Sequence, residues 1–198
     1  MISFENAEVF LPKYLSPEGR KQLFSEIKKF DGINYYSSIS DSEPLQGDGW
    51  SNVEFVDVES LTKLSTSVVV LSNSCDISSD NARKMPPRIT VTPLIRLSKL
   101  SALLAQHNLS QEQIDQYTKD LRAQVISNAL YLPAGSGLEE DAVVLFDNVQ
   151  SQQLNKFSQV DNKTRLFSLS QFAFWLFLVK LAIHYCRAQE GILRPSGE

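Results

Sequence analysis

The segment 67–72 constrains the fold most strongly, because four apolar residues, Val68 to Leu71, follow one another without interruption. Three of them are valines, and a continuous β-branched run of this kind is typical of a strand that is buried on both faces. The sequence therefore predicts that the chain is built around a covered sheet.

Four more strands are predicted around this one. A Gly-rich turn at 47–49 precedes the first of them, and Pro93 lies near the end of another. In chain order the predicted strands are 50–58, 67–72, 88–95, 129–133 and 141–149. This β-rich middle indicates the α+β class with a mainly β core.

Helices are predicted before, between and after the strands. Ser16 caps the first helix with Pro17 in its first turn, and a capping box of Ser110 and Gln113 begins another. The predicted helices are 16–30, 97–106, 110–128 and 168–187.

Three segments follow from this order of elements. Residues 1–45 read as an N-terminal helical appendage with a polar linker, and residues 161–198 as a long C-terminal helix. Between them, residues 46–160 form the β unit, which is interrupted by a helical insert at 97–128.

The stretch 172–179 is apolar on every side of the predicted C-terminal helix. Only eight residues run unbroken before Lys180, whereas a membrane-spanning helix needs about 20. A membrane span is therefore not expected. Burial in the core and burial in a partner or dimer interface are both open, and we expect a homo-oligomer formed through this helix.

The charged residues are segregated along the chain. The net charge is −4, which argues against a surface devoted wholly to nucleic acid. Six acidic residues and no base lie between 32 and 62, whereas five bases and no acid lie between 81 and 111. These segments form either two ordinary solvated surfaces or a local basic face that meets phosphate.

Cysteine and N-terminal patterns suggest a cytoplasmic protein. Cys75 and Cys186 are too few for a disulfide framework or a four-thiolate zinc site. The N-terminus lacks the basic and apolar regions of a signal peptide. Because metal-ligand spacings and Gly-rich phosphate loops are also missing from the sequence, we expect no metal and no cofactor.

The most distinctive polar segment is 71–77, which follows the central strand. Asp76 could serve there as a general base and Cys75 as a nucleophile. The alternative is structural: the small polar residues, Asn73 among them, cap and turn the chain. A Cys-dependent hydrolase would also need His107 or His184 beside Cys75.

Four motifs follow one another along the β-rich middle: GDGW at 47–50, VVVLSN at 68–73, ITVTPLI at 89–95 and VVLFDNVQS at 143–151. Together they resemble the MazF/PemK-like toxin family, in a divergent phage- or defence-associated form. The resemblance implies a small SH3-like barrel, usually dimeric, that cleaves RNA without a metal ion and has an antitoxin partner.

The family's catalytic arginine and threonine positions fall on Thr66 and Ile95, so other residues must act if the chain cleaves RNA. The catalytic candidates are Asp76, Arg83, Arg88 and Cys75. The nucleic-acid-binding candidates are Lys84, Arg96, Lys99 and Asn73. We expect Asp76 and the bases of 83–96 to form one cleft.

Two functions of different classes follow from the resemblance. The first is a toxin-like or defence-associated endoribonuclease that is metal-independent and has a rearranged active site. The alternative is a non-catalytic barrel module that binds a protein or nucleic-acid partner. The loss of both family catalytic positions favours the second, whereas association with the family favours the first.

Overall fold

A computed structural model describes residues 34–38, 43–58, 60–81 and 83–186. Within these residues there are eight strands and five helices. The strands are β1 (Tyr36–Ser37), β2 (Gly49–Asp57), β3 (Thr62–Val70), β4 (Arg88–Arg96), β5 (Ala129–Leu132), β6 (Ala142–Leu145), β7 (Gln150–Gln153) and β8 (Arg165–Leu169). The helices are α1 (Ser74–Ile77), α2 (Leu97–Gln106), α3 (Gln111–Arg122), α4 (Leu154–Ser158) and α5 (Gln171–Cys186).

The eight strands form one antiparallel sheet in the order β1-β8-β2-β3-β4-β6-β5, with β7 paired to β4. The predicted α+β class with a mainly β core is confirmed. The sheet is not closed into a barrel, since no ladder among the described strands joins its two ends. The ends of the described sheet are linked only by contacts between loops and strands. The Tyr36 hydroxyl donates to the Pro133 carbonyl, and the Gly137 amide donates to the Leu166 carbonyl at 2.9 Å.

The central strand is buried on both faces, as its valine run predicts. Val68, Val69 and Val70 are each fully buried. Val68 and Val70 pack in one apolar cluster and Val69 packs in another. The strand begins earlier than predicted, at Thr62, with four exposed residues, and it ends at Val70 and not at residue 72.

Three apolar clusters fill the two sides of the sheet. The first joins β5, β6, β8 and α5, and the second joins β2, β3 and β4 with α1 and α4. The third lies between the helical insert and β5–β6, where Leu121 packs against Val143. Residues from all three predicted segments, Tyr36, Val144 and Phe177 among them, share the first cluster.

Helix α5 is part of the chain's own core. Seven of its residues are buried, and Phe172, Leu176 and Phe177 pack against the sheet in the first cluster. Burial in the core, one of the two alternatives for its all-round apolar character, is therefore confirmed, and the homo-oligomer stays a prediction. No helix in the described ranges combines the length and apolarity required for a membrane span.

The other elements differ from the sequence predictions mainly at their ends. Helix α2 matches its predicted range, whereas α3 ends at Arg122, six residues early. The strands β1, β7 and β8 are absent from the predicted set, and β8 occupies part of the segment assigned to the C-terminal helix. The predicted helix 16–30 lies outside the described residues.

The GDGW segment has a structural role at the start of β2. The Asp48 carboxylate, 1% exposed, lies 3.0 Å from Nε of Arg165 in a buried ion pair. The guanidinium of Arg165 also lies over the Trp50 ring, 4.8 Å from its centre. A side chain at Gly49 would meet the ring of Phe167 at 2.3 Å. Asp48, Gly49 and Trp50 thus fix the junction of β2 and β8.

Candidate functional site

The two ends of β4 divide the predicted site residues into two groups. Arg88 is the first residue of the nine-residue strand and Arg96 is the last. At about 3.3 Å per residue, an extended strand of this length separates its ends by roughly 26 Å. Asp76 and Arg83 lie with the first end, because β3 and β4 are antiparallel. The expected single cleft is therefore not formed.

At the first end, Asp76 is paired with Arg83. Nη2 of Arg83 donates to Oδ1 of Asp76 at 2.6 Å, and both side chains are substantially exposed. Arg88 donates from Nε to the hydroxyl of Ser151 and from Nη2 to its carbonyl. Lys84 is exposed beside them. These cations are mostly engaged with groups of the protein itself.

Asn73 and Cys75 have the local roles that the structural alternative describes. Asn73 is the N-cap of α1, and its Oδ1 accepts the amide of Cys75 at 2.9 Å. Within the described residues neither histidine is hydrogen-bonded to Cys75. His184 packs against Phe146 and Tyr185 on α5, and His107 is the C-cap of α2. The Cys–His arrangement of a hydrolase is thus not assembled.

At the second end, a polar cleft opens between the β2–β3 hairpin, the end of β4 and the turn that joins β5 to β6. Its volume is about 400 Å³. We call this the polar cleft. Its polar lining residues are Ser51, Asn52, Ser65, Thr66, Ser67, Arg96, Lys99, Glu139 and Glu140. Two of these residues relate to the catalytic positions of the family that the sequence resembles. Thr66 is the residue to which the arginine position maps, and Arg96 follows Ile95, to which the threonine position maps.

A β-bulge shapes one wall of the polar cleft. The register of β2 against β3 shifts between Trp50 and Val53, and Asn52 has a φ of 56°. Nδ2 of Asn52 donates to the Asn162 carbonyl at 2.8 Å, and the Ser51 hydroxyl lies 2.6 Å from that of Thr164. A left-handed residue in a bulge beside a cleft is a feature that often marks functional sites.

The charges of the polar cleft comprise two cations and two carboxylates. Nη2 of Arg96 lies 3.5 Å from Glu139 Oε2, and Nε of Arg96 lies 3.8 Å from Glu140 Oε1. The side chain of Glu139 is 83% exposed and that of Glu140 is 35% exposed. Lys99, in the first turn of α2, is exposed and forms no ion pair with other described residues.

Of the nine polar lining residues, only Arg96 and Lys99 are predicted from the sequence, as nucleic-acid-binding candidates. Glu139 and Glu140 follow the Gly135–Gly137 turn, and nothing local indicates that this turn reaches the end of β4. Ser51 and Asn52 lie within a strand whose bulge disturbs the alternation of apolar residues. The imperfect alternation of 50–58 is the one sequence signal of the bulge.

A larger groove, of about 730 Å³, lies between α2 and α3. Two of its charged residues are bound to each other: Arg122 donates to Asp141 at 2.9 Å, and the Ala134 amide donates to the same carboxylate. Burial acts to raise the pKa of Asp141, but these hydrogen bonds and that of Tyr131 lower it. Burial, aided by Asp141, raises the pKa of Tyr131 to about 12. This network stabilises the insert on the sheet.

No protein-family model matches the sequence, and no curated protein matches it either. In the part of the chain that the structure describes, His, Cys, Asp and Glu side chains do not gather in threes with the geometry of a metal site.

Proposed function

We propose that the chain is a MazF/PemK-like toxin or defence-associated protein whose polar cleft binds single-stranded RNA and cleaves it without a metal ion. Thr66 and Arg96 line the same cleft, and this juxtaposition supports the proposal most directly. The family's catalytic arginine position falls on Thr66 of β3, and Arg96, at the end of the neighbouring strand β4, supplies the cation in its place.

The fold of the second apolar cluster supports the same family. Val53, Phe55 and Ile89 pack inside a unit formed by β2, β3, β4 and β7. The amide of Val56 donates to Oε1 of Gln150 at 2.7 Å, which links β2 to β7. We propose that these strands, with β8, are the SH3-like barrel of the family.

The lining of the polar cleft suits an RNA backbone better than the bases. Arg96 and Lys99 supply positive charge for phosphates, and Ser51, Ser65 and Thr66 supply hydroxyl donors. No aromatic ring is among the lining residues described, so base stacking contributes little. Cleavage through the 2′-hydroxyl needs a base for its proton and a cation for the phosphorane, and both residue types are present.

Incubation of the purified chain with a mixed-sequence RNA in EDTA tests this function. Discrete cuts that leave 2′,3′-cyclic phosphate ends are expected, because the 2′-oxygen is the nucleophile. The same sequence with 2′-O-methyl groups should remain intact. An uncut RNA, or equal cutting of the 2′-O-methyl strand, would contradict the proposal.

Binding of RNA without cleavage would instead favour the non-catalytic module. If the module instead binds a protein, the exposed apolar end of the β2–β3 hairpin is the surface that fits such a partner. Val58 is 79% exposed, Leu61 80% and Leu64 47%. Apolar residues clustered at one exposed tip are a common mark of interaction surfaces.

A further inference from the structure

We infer that Glu140 is the general base of the polar cleft, and this inference rests on the proposed RNA cleavage. Its Oε1 lies 3.8 Å from Nε of Arg96, too far for a hydrogen bond but close enough for both groups to reach one phosphodiester. A carboxylate and a guanidinium side by side are the two groups that attack by a 2′-hydroxyl requires.

The backbone around Glu140 is held in place by its neighbour. The Asp141 carbonyl accepts the amide of Leu97 at 2.8 Å, and the Asp141 carboxylate accepts Arg122 and the Ala134 amide. This anchors the residue next to Glu140 to the start of α2, where Lys99 lies. A base that is fixed in this way needs little reorganisation when substrate binds.

Glu139 is less suited to the same role. Its side chain is 83% exposed, compared with 35% for Glu140, so it is directed more fully to solvent. A carboxylate that is partly removed from water interacts more strongly with neighbouring charges. Asp76 is excluded because it lies with the opposite end of β4 and is bound to Arg83.

The reaction balances with groups of the cleft and water. Glu140 takes the proton of the 2′-hydroxyl while O2′ forms a bond to phosphorus, and the bond from phosphorus to O5′ breaks. Arg96 and Lys99 stabilise the negative charge of the phosphorane. The proton on Glu140 returns to O5′ through a water molecule, which gives a 2′,3′-cyclic phosphate and a 5′-hydroxyl.

Single-turnover cleavage by Glu140→Gln tests the assignment. Removal of a general base typically costs about 10²–10⁴-fold in rate, so we expect a loss in this range. The same variant should bind 2′-O-methyl RNA at least as tightly as wild type, because a negative charge is removed from the cleft.

Two further variants separate this role from a loss of charge or of folding. Glu139→Gln removes the same charge from the same turn, and its loss of rate should be at least tenfold smaller. Glu112→Gln, on the exposed first turn of α3, should cleave like wild type. All variants are compared by thermal unfolding.

Cleavage by wild type that is unaffected in Glu140→Gln, or equally reduced in Glu139→Gln, would overturn the assignment and leave the RNase function standing. Absence of cleavage by wild type would overturn both.

Discussion

At the scale of single residues, Lys180 shows how a charged side chain is accommodated in this core. It is 2% exposed, and its Nζ donates to the carbonyls of Gln124 and Ile126 at 2.8 Å each. Both carbonyls lie in the segment that joins α3 to β5, and backbone carbonyls that are removed from water need hydrogen-bond donors. The ammonium has three N–H donors, and the two carbonyls accept from two of them.

Burial lowers the pKa of Lys180 to about 8 from its ordinary 10.5. Between these values the unfolded chain holds a proton that the native chain has released, so the free energy of unfolding rises with pH. From pH 7.5 to 9.5 wild type should gain about 2 kcal/mol relative to Lys180→Met.

Urea unfolding of both proteins at the two pH values measures this difference. The range stops at about pH 9.5 because tyrosines such as Tyr36, whose pKa is raised by burial, act in the opposite sense at higher pH. Parallel changes in the two proteins would contradict the role of Lys180.

At the scale of elements, the turn between β5 and β6 connects the sheet to the polar cleft. Its Gly137 amide and Ser136 hydroxyl both donate to the Leu166 carbonyl of β8. The same turn leads into Glu139 and Glu140. The turn therefore holds the two ends of the sheet together and positions one wall of the cleft.

Gly137→Ala should loosen this junction. The added Cβ would lie 2.6 Å from the Leu166 carbonyl oxygen, so backbone must shift, at a cost of about 1–3 kcal/mol. Ser136→Ala removes only an exposed hydrogen bond to that oxygen, and about 1 kcal/mol or less is expected. Denaturant unfolding of the two variants distinguishes them, and equal stabilities would refute the close approach.

What the sequence predicts well is local in origin. The valine run, the capping box of Ser110 and the strand 88–95 depend on periodicity and capping over a few residues. Strand β8 was missed because its residues adjoin the apolar run of α5 and merge with it in the pattern. The end of α3 was placed too late, since the left-handed Gln124 has no glycine or asparagine signal.

The candidate site was predictable only in part for the same reason. Arg96 and Lys99 belong to a basic segment that sequence inspection identifies. Glu140 joins them through long-range contacts of the β5–β6 turn, and no spacing between 96 and 140 encodes these contacts. Asp76 was favoured as a base because of its place after a buried strand, although its ion pair with Arg83 could not be foreseen.

At the scale of the whole molecule, the chain is acidic, with a net charge of −4, yet the cations of the basic segment 83–99 form two local groups. One group, with Arg83 and Arg88, is bound mostly to Asp76 and Ser151. The other, Arg96 and Lys99, faces a cleft. Electrostatic attraction of a polyanion should therefore be local to the cleft and depend strongly on salt.

The most direct test of the central claim is the binding of a 2′-O-methyl single strand by two charge-matched double variants across a range of salt. Arg96→Gln with Lys99→Gln should weaken binding at least tenfold at low salt. It should also lower the slope of log affinity against log salt by about 1.4, the value for two lost phosphate contacts. Arg83→Gln with Arg88→Gln removes the same charge and should stay within about threefold of wild type. An equal or larger loss in the second pair would contradict the assignment of the polar cleft as the RNA site.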